Sequence, residues 1–202
     1  DSGQIDFIYT GPDVPAPTGG VPPPGQREYA FTQIRVMSTY LRLVFFPLRQ
    51  NLDYHYPIFG LFFSMEIILS ALLIVTILTA GWMLKRNGRT VAAFGIFFFF
   101  LVLLPESSLI PIRDVIFEHR LYLPLAGAVT VLAGTAGFFG RGKRLLLIPL
   151  LLLAVLTVNR NRIWKDEITL WRDTAAKAPG KVRPLNNLGF VLNREERYRE
   201  AA

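Results

Sequence analysis

The stretch Glu106–Pro124, ESSLIPIRDVIFEHRLYLP, sets Glu106, Arg113, Asp114, Glu118, His119 and Arg120 between two strongly apolar runs. Acids, guanidinium groups and an imidazole in one short segment can move protons and bind anions. A bilayer core does not tolerate such a cluster facing lipid. The cluster therefore belongs at a membrane surface or against a polar cavity, or else is an ordinary polar loop between two spans. Asp114 lies four residues before Glu118, so the two share a face if the loop is helical. Two acids on one face suit a divalent ion, although no third ligand is identifiable. Glu118 is expected to pair with an arginine or to act as a base, and His119 to be an interfacial hydrogen-bonding histidine or a catalytic one. Asp53 and His55 lie just before the first apolar run. Asp53 either caps a turn into Tyr54 and Pro57 or faces the same cavity as the central loop.

The elements that must position these residues are those of a membrane protein. The chain has 202 residues, 51% of them hydrophobic, with a net charge of +7 and no cysteine. Disulfide, thiolate and Cys-zinc chemistry are thereby excluded. Much of the basic excess lies in short loops beside apolar runs, where membrane orientation explains it better than nucleic-acid binding does. The chain begins with Asp1 and stops at Glu200-Ala201-Ala202 inside a helical pattern, and it reads as an internal piece of a larger protein.

Asp1–Gln26 is rich in Pro and Gly and reads as a flexible or polyproline-like segment. From Arg27 to Asn51, apolar residues recur at three- and four-residue steps, predicting an amphipathic helix over about 28–50 that lies in the membrane interface. Arg35, Arg42 and Arg49 recur every seven residues and are expected on one side of it, meeting lipid phosphates or an anionic lipid substrate, or snorkelling to headgroups. Pro47 should bend or end this helix.

Four apolar runs follow, at about Phe59–Leu84, Val91–Leu104, Leu121–Gly140 and Leu145–Val158. The first carries one acid, Glu66, near the interface or turned inward to a polar partner. The second is short for a span unless it continues through Pro105. The third holds Gly127, Ala128, Gly134, Ala136 and Gly137, small residues that suit close helix packing. Lys85, Arg86 and Arg89 occupy one short loop, and Arg141, Lys143 and Arg144 another; both contain no acid, which places them in the cytoplasm. Two hairpins of spans then put the N-terminal segment, the central charged loop and the C-terminal tail together on the other side.

Trp171, Ala175 and Pro179, then Leu188, Gly189, Leu192, Tyr198 and Ala201, match the spacing of the 34-residue tetratricopeptide repeat. The fold expected is thus all-α and integral to the membrane. An extracytoplasmic loop with its interfacial helix (1–57) precedes about four transmembrane helices in two hairpins (58–160), and the start of a tetratricopeptide array follows (161–202).

YLRLVFFPLRQNLDYHYP before the spans, SSLIPIRDVIFEHRLYLP between the hairpins and the repeats after them together resemble the bacterial relatives of the TMTC proteins, a transmembrane and tetratricopeptide-repeat O-mannosyltransferase family. The resemblance runs from about Phe31 onward; Glu118–Pro124 and Asn51–Tyr54 are its most specific parts. It implies a multi-span GT-C glycosyltransferase that passes a sugar from a polyprenyl-phosphate carrier to a protein acceptor on the outer face. It also implies that the key carboxylates sit in a first outer loop that this sequence does not contain.

The residues are compatible with that chemistry. Transfer needs a carboxylate to take the acceptor proton and a group to stabilise the leaving phosphate. Arg120, where the third run begins, is expected to contact the carrier phosphate, with Tyr122 and Arg113 in support. Asp53, Glu118 and His119 are the weaker catalytic candidates; no residue is assigned to a metal, although a divalent ion is compatible. Membrane lipid, the lipid-linked sugar and a protein acceptor recruited through the repeats are the partners expected, and nucleic acid is not. The competing readings are a non-catalytic membrane scaffold that docks partners through its repeats, and a transporter or polymerase subunit moving a lipid-linked glycan. The latter would need polar residues deep in the spans, where only Glu66 is available.

Overall fold

A computed structural model describes residues 24–60, 63–108, 112, 114–136 and 147–201. The basic loop Arg141–Arg144, Arg113, Gly137 and most of the Pro-rich N-terminal segment lie outside these residues. Among the described residues the chain is all helical, with eight α-helices and no strand.

Helix α1 (Gln26–Phe45) starts where Glu28 folds back to accept the Gly25 N–H at 3.2 Å, and it ends two residues before Pro47. Arg49 lies beyond the helix with a φ of 56°, so only Arg35 and Arg42 share a helical side. The buried face of α1 packs on protein and carries polar residues, Thr32, Gln33 and Thr39, alongside Tyr29, Val36, Tyr40 and Leu43.

Helix α2 (Met65–Arg86) and helix α3 (Thr90–Ser108) form a hairpin. Its turn is a helix C-terminal motif. Gly88 takes a φ of 76°, the Gly88 N–H donates to Lys85 O at 3.1 Å, and the Arg89 N–H donates to Leu84 O at 2.9 Å. Glycine adopts that conformation without a Cβ penalty. Helix α3 runs on through Pro105 to Ser108. A 3-10 turn, Glu118–Leu121, leads into helix α4 (Tyr122–Thr135).

Helices α3 and α4 touch backbone to backbone. A Cβ on Gly95 would come within 2.6 Å of Gly127 O, one on Gly127 within 2.7 Å of Gly95 O, and one on Gly134 within 2.6 Å of Ala92 N. Gly127 and Gly134 are thus helix-contact residues, and Gly95 joins them from the facing helix.

Helix α2 has 22 residues and is long and apolar enough to cross a membrane. At 1.5 Å per residue it reaches about 33 Å. Thr90–Pro105 is a shorter apolar helix. Helix α5 (Leu147–Ile163) and helix α6 (Glu167–Lys177) pass the same test only as a pair, and they are bent by 109°. Among the described residues one or two spans therefore meet the criterion of length and composition, against the four expected. The break after α5 has a local cause. Asp166 starts a new helix by accepting from the Thr169 N–H and Thr169 hydroxyl, both at 2.8 Å.

Leu69, Leu72, Val75, Trp82 and Met83 of α2, and Leu150, Leu151, Leu152 and Val155 of α5, are exposed. Hydroxyls on the apolar helices bond inward to their own backbones, Thr76 to Leu72 O, Thr79 to Val75 O and Thr157 to Leu153 O. A helix so satisfied can face an apolar medium without stranding a polar group.

The core joins α1, α3 and the central loop. Ile96, Phe99, Phe100 and Leu103 of α3 and Val36, Tyr40 and Leu43 of α1 enclose Val115, Ile116 and Leu121. Beyond α6, helix α7 (Val182–Arg194) pairs back on α6, and a short helix α8 (Tyr198–Ala201) follows. Lys177 ends α6 and Pro179 stands in the turn, giving the helix–turn–helix unit that the repeat spacing predicts.

Candidate functional site

The central loop mixes buried apolar residues with charged ones. Val115 and Ile116 are 3% and 2% exposed, so this backbone is buried and needs hydrogen-bond partners. The polar face of α1 supplies them. Gln33 Nε2 donates to Val115 O at 2.9 Å, and the Tyr40 hydroxyl donates to Phe117 O and accepts from the Phe117 N–H, both at 3.1 Å. This is why α1 buries Gln33 and Tyr40. The loop is pinned, and its charged side chains leave it in set directions.

Asp114 and Glu118 point to different partners. The segment between them is not helical; Asp114 sits in a bend and Glu118 opens the 3-10 turn. Asp114 accepts from Lys181 Nζ at 2.9 Å and from Arg183 Nη2 at 3.0 and 2.8 Å. Glu118 Oε1 accepts from the Asn51 N–H at 2.7 Å and from the Tyr54 hydroxyl at 2.6 Å. Glu118 therefore bonds to neutral donors instead of the arginine expected for it. The two acids do not share a face, and no group of three or more His, Asp or Glu among the described residues is placed to hold a metal ion.

Asp53 is 4% exposed and meets the same lysine as Asp114 of the central loop. Its Oδ1 accepts from Lys181 Nζ, and its Oδ2 faces Arg183 Nε at 3.5 Å. Asn51 braces it by donating from Nδ2 to Asp53 O at 3.0 Å. Lys181 and Arg183 stand at the start of α7, so one cluster of two acids and two bases ties the loop before α2, the central loop and the α6–α7 helix pair together. Lys177 adds a bond to Gln50 O at 2.9 Å. His55 lies against Gly180, where a Cβ would meet its ring at 2.7 Å. Glycine there lets the repeat turn close on the loop.

Arg120 folds back on its own segment. Its guanidinium lies over the Phe117 ring at 5.1 Å, and Nη1 reaches Val115 O at 3.5 Å. His119 is exposed and stacks on the same ring at 5.0 Å. Tyr122, 80% exposed, opens α4. Arg113 lies outside the described residues. The structure thus gathers Asp53, Asp114 and Glu118 at one end of the bundle through Asn51, Tyr54, Lys181 and Arg183. Of these connecting residues, Lys181 and Arg183 carried no sequence signal, because they lie over 120 residues from Asp53 and look like ordinary repeat-surface cations.

The electrostatics follow from these contacts. Burial alone would raise the Asp114 pKa, but hydrogen bonds from Lys181 and Arg183 outweigh it and hold the carboxyl below its usual 3.8. Burial also opposes the charge on Arg183, and its bond to Asp114 with the field of Asp53 overrides this and raises its pKa. Burial, then the bond to the Glu118 carboxylate, drives the Tyr54 hydroxyl far upward. Tyr54 is therefore a permanent donor to Glu118 at neutral pH.

Beside this cluster lies a cavity of about 390 Å³ lined by Arg35, Thr39, Arg42, Tyr54, Tyr56, Pro57, Phe59 and Glu66. It opens between α1, the 54–59 segment and the first turn of α2.

An all-helical protein with apolar surface helices, a pinned polar loop and a docked helix pair is the class these features define. Over 113 residues the chain is 38% identical to the protein O-mannosyl-transferase Tmtc2 of Drosophila melanogaster, a match covering 52% of this chain and 12% of that one. With protein O-mannosyl-transferase Tmtc1 of the same organism the identity is 35% over 119 residues, covering 53% of this chain and 14% of the relative. The chain spans well under a fifth of the length of these curated relatives. The matches give it a distant, partial homology to the TMTC proteins. No protein-family profile matches the chain, and no solved structure does.

Proposed function

We propose that this chain is the later membrane portion, with the first repeat, of a GT-C type glycosyltransferase. That enzyme passes a sugar from a polyprenyl-phosphate carrier to a protein acceptor on the extracytoplasmic face of a bacterial inner membrane. In this reading α2 to α5 are four spans in two hairpins. The partial identity to protein O-mannosyl-transferases supports the reaction class. The observation that carries the reading is the junction of Asp53, Asp114, Lys181 and Arg183. An enzyme that modifies a protein held by its repeats needs those repeats at a fixed distance from the reacting centre. A four-charge clamp with a buried Asp supplies that fixity, whereas a scaffold works as well on a flexible tether.

Arg120 and Tyr122 then serve the carrier phosphate, Arg113 supports them, and the catalytic carboxylates belong to an earlier outer loop. The test uses full-length protein in membranes, with transfer of labelled mannose from polyprenyl-phosphate mannose to acceptor protein as the readout. Arg120→Ala should abolish transfer, by about 100-fold or more if a phosphate-stabilising contact is lost, while the protein stays in the membrane at its normal level. Undiminished transfer by that variant overturns the assignment. Absence of any transfer by the unaltered protein, with partner capture lost on deleting the repeats, favours the non-catalytic scaffold instead.

A further inference from the structure

The cavity beside the ion-pair cluster is not used by the reading above. Its size falls within the ~300–1,000 Å³ range of ligand pockets. Arg35 and Arg42 project into it from one side of α1. Arg35 Nη1 bonds only weakly to Thr39 Oγ1, at 3.4 Å, and Arg42 Nη1 donates to Leu48 O at 2.9 Å. Neither guanidinium ion-pairs with Glu66, the one acid on the wall, or with any other acid among the described residues. Two cations in one concavity, each with donors to spare, form an anion site. Beside them the Thr39 and Tyr56 hydroxyls bond to each other at 2.8 Å, and Thr39 Oγ1 also donates to Arg35 O at 3.2 Å, so this wall is neutral and largely satisfied within the protein; burial raises the Tyr56 pKa.

The chain around the mouth is apolar. Phe45, Phe46, Leu48 and Ile58 are exposed near it, and Met65 and Leu69 continue the apolar surface down α2. A free inorganic anion has no use for such a surroundings. An amphiphile does, with its anionic head on the arginines and its tail along α2.

We propose that this cavity binds the phosphate of an anionic lipid, with Arg35 and Arg42 as the phosphate contacts and the exposed face of α2 as the bed for the hydrocarbon. The site is distinct from Arg120, and it stands whether or not the chain transfers sugar, because an ordinary anionic phospholipid and a polyprenyl phosphate share the chemistry it recognises. Glu66 tempers the site: its carboxylate trims the net charge of the lining to about +1 and so weakens the hold on an anion.

The test is native mass spectrometry of the full-length protein in mild detergent. Undecaprenyl phosphate, phosphatidylglycerol, diacylglycerol and inorganic phosphate are added separately. The unaltered protein should retain at least one of the two phosphate lipids, and Arg35→Gln/Arg42→Gln should weaken that retention by about tenfold or more. Arg35→Lys/Arg42→Lys should recover part of it. Glu66→Gln, at an exposed position, should strengthen retention and reports on the site even where the double variant folds poorly. Preference for undecaprenyl phosphate identifies a carrier site and preference for phosphatidylglycerol a structural lipid site; either upholds the proposal. Equal retention by the arginine-free variant, equal retention of diacylglycerol, displacement by millimolar inorganic phosphate, or no response to Glu66→Gln would overturn it.

Discussion

Asp114 shows how a single carboxylate couples two parts of the chain. It is held by Lys181 and Arg183 of the repeat, and its pKa lies below 3.8 for that reason. A depressed folded pKa means the contribution is fully present above the unfolded value and is lost as pH falls through the folded one. Replacing Asp114 with Asn removes the charge at every pH. The thermal midpoints of the two proteins, followed by tryptophan fluorescence, should differ by a constant amount from pH 7 to about pH 5 and converge below pH 3.8. A difference that persists unchanged at pH 3 would mean the ion pairs are not what Asp114 contributes. Glu118 follows a different logic, because its donors, Tyr54 and the Asn51 N–H, are neutral. The residue scale thus separates two acids that are only four positions apart in the chain.

At the scale of elements, two contacts set the architecture. One is α1 against the central loop, where Gln33 and Tyr40 satisfy a buried backbone. The other is α3 against α4, where Gly95, Gly127 and Gly134 bring the helices together with no room for a methyl group. Gly127→Ala would drive a Cβ against Gly95 O and Phe99 N, both backbone atoms that cannot swing aside. It should cost about 1–3 kcal/mol, the usual penalty for overpacking, read as a lower unfolding midpoint in detergent. Gly60→Ala is the control. Its nearest neighbour is Glu28 Oε1 at 4.0 Å, the far end of a mobile side chain, and the change should stay within about 0.5 kcal/mol. Equal effects at the two positions would mean that the close approach of α3 and α4 contributes nothing special.

For the whole molecule, the acids, the cavity and the repeat gather at one end of the bundle, while Asn87 and Gly88 cap the far end of α2. With no cysteine in the chain, single replacements report cleanly. Leu48→Cys and Tyr198→Cys, both at exposed positions, should react with a membrane-impermeant thiol reagent from the same side of sealed vesicles. Asn87→Cys should react only after the opposite side is opened. Labelling of all three from one side would remove the membrane-spanning arrangement and the sugar-transfer proposal together.

Local physics made several features legible in the chain alone. The helix periods, the stop before Pro47, the small residues of α4 and the helix pair around Pro179 all depend on neighbours within a turn or two. The amphipathic stripe of α1 was equally plain, but its destination was not. Lipid and protein offer the same shelter to apolar side chains, and only the packing shows that Val115 and Ile116 lie beneath it. Lys181 and Arg183 belong to the same class of hidden information. A charge has no periodicity that names its partner, and the pairing with Asp53 arises only when folding closes more than a hundred residues of chain. The composition therefore determined the apolar helical class and the identity of the groups able to act. The tertiary structure decided which acid meets which base, because long-range electrostatic contacts depend on distance in space and not on distance along the sequence.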